Sequence, residues 1–314
     1  MRNPYRQFVE SIDRAAREAA LLPLGQEFGK PSGNQAKNGP VALLFSPHPD
    51  DECITATLPL RLAREGGARV VNVAVTLGSR PERRKQRLRE LHNACACLDF
   101  ELVNLREQGL TQIDREHRAT APADWAEKVT TIKAVIEQWQ PQFAFFPHGK
   151  DGHSTHEGTH LLVVDALRGM PNLFQCNVFE TEFWHPLEHP NLMVEASVSL
   201  VAEQVLATSC HQGEVERNPY HLNLPFWMRD NLRRGTELVG GQGGAMPNFG
   251  FATLYRHSLW QNGRLSAEPG QSRIVSLEQC PDFNRFRAEQ NAPLKPAGET
   301  RGVSSPDLNL TPFC

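Results

Sequence analysis

Short apolar runs alternate with longer amphipathic stretches through the first half of the chain. The apolar runs predict strands, and the stretches between them predict helices because their apolar residues recur at helical spacing. The predicted strands are residues 41–46, 69–77, 101–105 and 143–147. The predicted helices are, approximately, residues 53–65, 82–98, 124–139 and 155–168. This order is typical of a parallel sheet covered by helices, so we expect a Rossmann-like, doubly wound α/β fold with a mostly parallel sheet and helices on both faces.

The two ends of the chain follow other patterns. The first 20 residues predict a charged amphipathic helix, and a stretch rich in glycine, proline, asparagine and lysine follows it. Beyond residue 175 the pattern loosens into short strands, a helix near 199–209 and a glycine-rich stretch, and the tail is polar and rich in proline. We therefore expect three segments, namely an N-terminal helix and linker (1–39), a main domain (40–265) and a polar C-terminal extension (266–314).

Composition and charge narrow the range of partners. The 314 residues carry a formal net charge of −3 with both signs mixed along the chain, so no long-range field favours nucleic acid or an anionic membrane. We find no signal peptide and no apolar run of the roughly 18 residues that span a bilayer. Seven cysteines without a Cys-x-x-Cys pair argue against a disulfide framework. We expect a cytoplasmic protein with reduced thiols and a small-molecule partner, and a homo-oligomeric state stays open.

Four polar side chains follow the first predicted strand. Directly after the apolar run 41–46, the sequence Pro-His-Pro-Asp-Asp-Glu supplies one imidazole and three carboxylates: His48, Asp50, Asp51 and Glu52. In open α/β sheets the carboxyl ends of strands face the crevice in which ligands bind. Packing offers no reason to place three carboxylates after a buried strand, so this cluster indicates a metal site. One of the two adjacent aspartates would bind the metal, and the other could take a proton.

A second cluster follows the fourth predicted strand, where residues 147–160 hold four of the twelve histidines. Ser154 and Glu157 fit a capping box, in which a serine at the N-cap and a glutamate three residues later satisfy amides at a helix end. His153 would then lie just before the helix and His156 in its first turn, so that both can point into the crevice. Two imidazoles and one carboxylate with open positions suit a catalytic Zn²⁺ ion, which we expect as the cofactor.

These motifs also resemble a known enzyme family. The sequence Pro47-His-Pro-Asp-Asp-Glu52, the spacing His153-x-x-His156 and the stretch Arg87-Leu-Arg-Glu-Leu91 are similar to those of the LmbE-like or PIG-L family of zinc-dependent N-acetylsugar deacetylases. The resemblance covers about residues 40–210. It implies a hydrolase that removes acetyl from an N-acetylated amino sugar, such as an N-acetylglucosamine derivative, or from a related N-acyl conjugate, by attack of metal-activated water on the amide carbonyl.

The resemblance also implies a role for each matching residue. The zinc ligands would be His48, Asp51 and His156. Asp50 would be the general base that takes the proton of the attacking water. His153, in its protonated form, would stabilise the oxyanion or protonate the leaving amine. Arg87 would contact hydroxyl or phosphate groups of the substrate.

Two positions depart from the family pattern. The family often has His-Pro-Asp-His where this chain has His153-Ser-Thr-His156, so an aspartate that could orient a ligand histidine is missing there. Thr155 or Asp151 could replace it. After the third strand the family commonly has an aspartate before Gly-Leu, a sugar contact, and here the chain offers only Glu107. Glu107 is therefore a second expected substrate contact, and the identity of the substrate stays open.

A zinc metallopeptidase is the first alternative. The sequence His156-Glu-Gly-Thr-His160 matches the His-Glu-x-x-His pattern, in which Glu157 would be the base. A third ligand would come from Glu180 or Glu182. Against this alternative, the pattern needs both histidines inside an established helix, whereas glycines precede and interrupt this one. It also leaves residues 48–52 without a use.

A non-catalytic Rossmann-like module that binds a sugar or a nucleotide is the second alternative. No Gly-x-Gly-x-x-Gly follows the first strand, and the carboxylates there would repel phosphate unless a metal intervened. An inactive relative of an enzyme would be expected to lack one of the ligands, and none is missing here.

Overall fold

The computed structural model describes residues 3–25, 38–266 and 272–281. The strands are β1 Val41–Ser46, β2 Arg69–Ala74, β3 Glu101–Asn104, β4 Phe143–Pro147, β5 Cys176–Thr181, β6 Leu192–Ala196, β7 Phe251–Gln261, β8 Arg264–Leu265 and β9 Arg273–Val275. They form one sheet in the order β3-β2-β1-β4-β5-β7-β6-β9, and β8 pairs with β7. β1 to β5 are parallel, whereas β7 is antiparallel to both β5 and β6. The expected mostly parallel sheet is confirmed.

The strand order places the two polar clusters side by side. The chain moves outward from β1 to β2 and β3 and returns to β4 on the other side of β1, so β1 and β4 are neighbours where the order reverses. Open α/β sheets bind ligands outside the carboxyl ends of their strands at this point. The first cluster follows β1 and the second follows β4. The topology therefore builds one site from both.

Helices cover both faces of the sheet, as expected. They are α1 Arg6–Ala19, α2 Asp51–Ile54, α3 Thr57–Gly66, α4 Pro81–Leu98, α5 Arg115–Thr120, α6 Pro122–Trp139, α7 Ser154–Arg168, α8 Val198–Ser209, α9 Gln212–Val215 and α10 Tyr220–Leu238. Alternate residues of a strand point to opposite faces, and on one face Leu43 and Phe45 of β1 share a core with Ile132 of α6 and Leu162 of α7. On the other face α4, α8 and α10 pack together. Within the described residues, no helix combines the length and apolarity needed to cross a membrane.

Several stretches differ from the predicted elements. The helix predicted at 53–65 is two helices, α2 and α3, because Pro59 fits only in the first turn of a helix, where its missing amide has no partner to lose. After residue 175 the sequence predicted less regular structure than is present, because the long helix α10 and the long strand β7 lie there. β9 pairs with β6 beyond residue 265. Residues 26–37 of the predicted linker, and residues 267–271 and 282–314 of the predicted C-terminal extension, lie outside the described residues.

The packing of α7 leads to a prediction at Gly158. A Cβ added there would lie 2.2 Å from the backbone oxygen of Ile113, which cannot move aside like a side chain. We expect Gly158→Ala to lower the free energy of unfolding by about 1–3 kcal/mol. At an ordinary helix position the same exchange raises it by about 1 kcal/mol. Urea unfolding measures the change, with Gly66→Ala in α3 as control because a Cβ there meets nothing within 4 Å. Equal effects at the two glycines would contradict this packing argument.

Candidate metal centre and active site

Three side chains converge at the carboxyl ends of β1 and β4. His48 lies in the turn after β1, Asp51 begins α2, and His156 lies in the first turn of α7. His48 Nδ1 is 3.3 Å from His156 Nε2 and 3.6 Å from Asp51 Oδ2, and the last two atoms are 3.4 Å apart. Atoms that bind one zinc ion tetrahedrally at about 2.0–2.1 Å lie about 3.3–3.4 Å from each other. The triangle therefore has the size expected of three zinc ligands.

A buried oxygen supports the same interpretation. Asp51 Oδ2 accepts a hydrogen bond from the backbone amide of His48 at 2.8 Å, whereas Asp51 Oδ1 is buried and has no hydrogen-bond partner among the described residues. Such an oxygen is costly to bury unless a cation compensates it. Two imidazoles and one carboxylate are also a donor set that catalytic zinc uses. The residues present fit the metal that the sequence implies.

The charges of the three groups depend on one another. Burial would raise the pKa of Asp51, but His156 and His48 beside it lower that pKa to about 2. Burial lowers the pKa of His48. Burial alone would lower the pKa of His156, but the carboxylates of Asp51 and Asp151 raise it overall. An ionised carboxylate and neutral imidazoles are the forms that bind a metal, so a cation here would displace a proton from His156.

Asp151 supplies the aspartate that the second motif lacks. Its Oδ1 lies 3.0 Å from His156 Nδ1, and its Oδ2 accepts hydrogen bonds from the amides of Phe183 and Trp184 at 3.1 and 3.2 Å. A carboxylate beside the far nitrogen fixes the orientation of a ligand histidine and leaves its other nitrogen for the metal. Of the two candidates named from the sequence, Asp151 and not Thr155 takes this position.

Asp50 has a strained backbone next to the three candidate ligands. Its φ is 117°, in a region that residues other than glycine rarely adopt. Its buried side chain lines the cavity in front of the candidate ligands, and none of the described residues donates a hydrogen bond to its carboxyl group. Burial, with Asp51 next to it, raises the pKa of Asp50 well above its usual value. A carboxylate with a raised pKa is a stronger base, as general-base catalysis requires.

A fully buried network holds the Asp50 turn in place. Glu52 Oε2 accepts a hydrogen bond from the amide of Asp50 at 2.9 Å, and Glu52 Oε1 lies 2.6 Å from His211 Nε2 and 3.0 Å from Cys53 Sγ. Burial would lower the pKa of His211, but the Glu52 carboxylate raises it overall. Glu52, Cys53 and His211 form a second group that could hold a metal. Because both Glu52 oxygens already accept hydrogen bonds, we assign this group a structural role.

The helix cap at α7 differs from the prediction. His153 is the N-cap, and its Nδ1 accepts a hydrogen bond from the amide of Thr155 at 3.2 Å. Glu157 accepts one from the amide of Gly152 at 3.3 Å instead of that of the capping residue. The predicted capping box with Ser154 at the N-cap is therefore wrong, because the imidazole of the preceding residue takes the helix-end amide.

This cap also determines the protonation of His153. Burial, with His48 and His156 close by, lowers the pKa of His153 to about 4, so the ring is neutral near pH 7. This neutral form differs from the protonated form that the family resemblance implied. Because Nδ1 accepts a hydrogen bond, the hydrogen of the neutral ring is on Nε2. The ring lines the cavity and stacks on Trp184 with 5.5 Å between ring centroids, and its N–H can still donate to a developing oxyanion.

Of the two expected substrate contacts, Arg87 lines the cavity and Glu107 does not. Arg87 Nη2 donates to the carbonyl oxygen of Pro49 at 3.0 Å, which supports the turn that carries the first motif. Glu107 is exposed and lies outside the cavity wall. The chain turns at Gly109, with a φ of 67°, and residues 110–114 line the cavity instead. The structure does not bring Glu107 to the site, because the turn at the next glycine directs it to solvent.

Two of the candidate ligands, His48 and Asp51, line one large cavity of about 610 Å³. That volume accommodates a small-molecule ligand. Much of its wall comes from residues that sequence reasoning did not connect with the site, namely Phe183, Trp184, Glu214, Arg217 and Tyr220. No motif marks these residues, and strand pairing and helix packing bring them to the cavity.

Comparison with known families agrees with this geometry. The sequence model of the PIG-L family, described as GlcNAc-PI de-N-acetylase, matches residues 43–167. This span runs from β1 to α7 and contains both motifs. Residues 43–167 therefore match the PIG-L family. The resemblance inferred from the motifs is thereby confirmed, and the family is one of de-N-acetylases, the expected enzyme class. Among curated proteins, none matches the sequence.

Several solved structures share the fold of this chain. The conserved protein TT1542 from Thermus thermophilus is 19% identical to this chain, with a TM-score of 0.51. The match covers 69% of this chain and 94% of that protein. GalB, the 4-carboxy-2-hydroxymuconate hydratase of Pseudomonas putida, is 16% identical with a TM-score of 0.53, covering 69% and 95%. A triple mutant of a deacetylase of teicoplanin biosynthesis is 16% identical with a TM-score of 0.50, covering 73% and 99%. At these identities the likeness shows the fold alone.

The described residues do not form the metallopeptidase arrangement. His160 Nδ1 lies 3.0 Å from the carbonyl oxygen of Pro147 and 3.4 Å from Glu180 Oε1. Among the described residues, the imidazoles whose ring nitrogens lie close enough to share a metal ion with His156 are those of His48 and His153, and that of His160 is not among them. The His-Glu-x-x-His order therefore does not bring its two histidines to one metal.

Proposed function

We propose that this protein is a zinc-dependent hydrolase that removes acetyl from an N-acetylated amino sugar or from a related N-acyl conjugate. The observation that carries the proposal is the convergence of His48, Asp51 and His156 at 3.3–3.6 Å, beside the carboxyl group of Asp50. The family match supports the reaction class. We also propose a cytoplasmic location, in keeping with the free thiols of the six described cysteines.

Each residue of the site has its own role in the proposed reaction. His48, Asp51 and His156 would hold the zinc ion, which when bound lowers the pKa of water and polarises a carbonyl group. Asp50 accepts the proton of the attacking water, because its carboxyl group faces the cavity and has a raised pKa. The Nε2–H group of His153 donates a hydrogen bond to the carbonyl oxygen as it gains negative charge.

The leaving amine then needs a proton. A neutral His153 does not supply one readily, since its pKa of about 4 keeps the ring unprotonated near pH 7. Asp50 holds the proton that it has just taken from water, so we assign the protonation of the leaving nitrogen to Asp50. Phe183, Trp184 and Tyr220 provide aromatic walls against which an apolar face of the substrate can pack.

The presence of a hydratase on the same fold shows that the fold does not determine the reaction. The assay must therefore distinguish hydrolysis of an amide from other reactions of water. Asp50 and three convergent ligand atoms also argue against the non-catalytic binding module, which has no use for a base beside a metal site.

Release of acetate and amine tests the proposed function. Zinc-loaded full-length protein is incubated with a panel of N-acetylated amino sugars and conjugates, and acetate and primary amine are both quantified. We expect the two products in equal amounts, loss of activity on chelation and recovery when zinc is restored. The His48→Ala variant is the control for a contaminating hydrolase. Failure of the zinc-loaded protein to release amine from any N-acyl compound of the panel would contradict the proposal.

A further inference from the structure

Three arginines line the cavity, namely Arg84, Arg87 and Arg217. Arg83 and Arg87 on α4, and Arg217 after α9, all approach one buried carboxylate, that of Glu214. Glu214 Oε1 is 3.0 Å from Arg83 Nη2 and 3.7 Å from Arg87 Nη1, and Glu214 Oε2 pairs with Arg217 Nη2. One carboxylate is thus shared by three guanidinium groups.

Arg84 is different, because it has no acidic partner among the described residues. It lies on α4 one helical turn before Arg87 and also lines the cavity. Its Nε donates to the carbonyl oxygen of Gly78 at 3.1 Å, and its two terminal nitrogens make no hydrogen bond to a described residue. A half-buried guanidinium presents a planar fork that matches a carboxylate or a phosphate.

None of the acidic groups among the described residues near the cavity forms an ion pair with Arg84. Asp114, across the cavity, caps α5 by accepting a hydrogen bond from the amide of His117 at 2.7 Å. Glu90 accepts a hydrogen bond at 3.2 Å from the amide of Gly213, the residue before Glu214. Outside the proposed metal centre, the cavity is thus lined by three guanidinium groups, those of Arg84, Arg87 and Arg217, and by two carboxylates, those of Asp114 and Glu214. The remaining aspartates of the cavity, Asp50 and Asp51, belong to the proposed metal centre.

We infer that the substrate carries an acidic group, a carboxylate or a phosphate, and that Arg84 binds this group. The inference rests on the proposed function, since it names the class of N-acyl compound that the cavity accepts. A neutral N-acetyl sugar would leave the Arg84 guanidinium without a partner, whereas an acidic one would pair with it while its amide lies at the metal centre. Arg84 is in this account a specificity residue and takes no part in bond breaking.

Binding of matched probes tests the inference without turnover. Affinities are measured by calorimetry on the zinc-loaded full chain carrying Asp50→Asn, with N-acetylglucosamine as the neutral probe. The acidic probes are its 1-phosphate, its 6-phosphate and N-acetylmuramic acid, so that the series separates phosphate from carboxylate. We expect at least one acidic probe to bind about tenfold or more tightly than the neutral one. Adding Arg84→Gln should remove that advantage and leave the neutral probe unchanged.

The control is Arg89→Gln, which removes the same charge from an exposed position of the same helix. It should leave the preference for acidic probes intact. The inference is overturned if no acidic probe binds more tightly than the neutral one. It is also overturned if Arg84→Gln and Arg89→Gln weaken acidic probes equally, because the effect is then a long-range field. A protein that binds acidic probes through Arg84 but releases no acetate would contradict the proposed function and leave this anion site standing.

Discussion

The Asp50→Asn variant is expected to lose nearly all turnover while it keeps its zinc. Removal of a general base typically lowers kcat by about 10²–10⁴-fold. Asparagine has the shape of aspartate and cannot take a proton, and it is among the residues that adopt a positive φ most readily, so the turn at φ 117° is kept. Steady-state kinetics with a substrate found in the acetate assay, together with zinc analysis of the same preparation, measures both halves of the prediction.

The control for this variant is Glu107→Gln. Glu107 is an exposed carboxylate outside the cavity, so its loss should leave kcat and KM unchanged. Full activity of Asp50→Asn would refute the assignment of the base. Loss of zinc from Asp50→Asn would show that Asp50 is a ligand instead. If Glu107→Gln weakens substrate binding, Glu107 contacts the substrate, as the family resemblance implied.

The Glu52→Ala variant is expected to lose at least about 3 kcal/mol of unfolding free energy. The exchange leaves the amide of Asp50, His211 Nε2 and Cys53 Sγ without their acceptor in a fully buried environment. Glu52→Gln keeps the volume and one acceptor, so we expect a smaller loss of about 1–3 kcal/mol. Urea unfolding of the metal-free proteins by circular dichroism separates this effect from that of zinc.

Two comparisons make the Glu52 prediction decisive. Glu107→Ala, an exposed exchange, should change the free energy of unfolding by less than about 0.5 kcal/mol. Because Glu52 holds the turn at Asp50, folded Glu52→Gln protein should retain zinc and show a lower kcat. If Glu52→Ala were as stable as Glu107→Ala, the buried network would not anchor the catalytic turn.

The sequence predicted the parts of the site that are encoded locally. β1 and β4 are short apolar runs that end in polar clusters, and the chemistry of each cluster is visible in a few consecutive residues. Alternation of strand and helix then implies a parallel sheet, and carboxyl ends of parallel strands meet at one edge. These two facts bring the two clusters to one site, and the family resemblance then named His48, Asp51 and His156 as its ligands.

The rest of the site depends on contacts that local patterns do not carry. The choice of cap at α7 was a competition between the side chains of His153 and Ser154 for one amide, and both residues are compatible with the sequence pattern. The position of Glu107 depended on the turn at Gly109, which reverses the chain just before the cavity wall. How such a loop aligns with the family motif depends on how the loop packs. A motif with one mismatched residue therefore does not show which side chain reaches the site.

The aromatic and arginine-rich walls were missed for a related reason. Phe183 and Trp184 follow β5, Arg217 lies between α9 and α10, and Tyr220 begins α10, all in the half of the chain where the pattern loosens. β5 is held by pairing with β4 and with β7, whose residues are far along the chain. Long-range pairing of this kind leaves no periodic signal between the partners, so only the folded chain shows that these side chains share a cavity.

The measurement that tests the central claim most directly is the zinc content of the purified chain and of two histidine variants. Each protein is exposed to zinc, dialysed and analysed for metal per chain. The account predicts about one zinc ion per chain in the wild type and in His160→Ala, and its loss in His48→Ala. A wild-type protein that retains no zinc, or zinc that survives His48→Ala and disappears with His160→Ala, would contradict it.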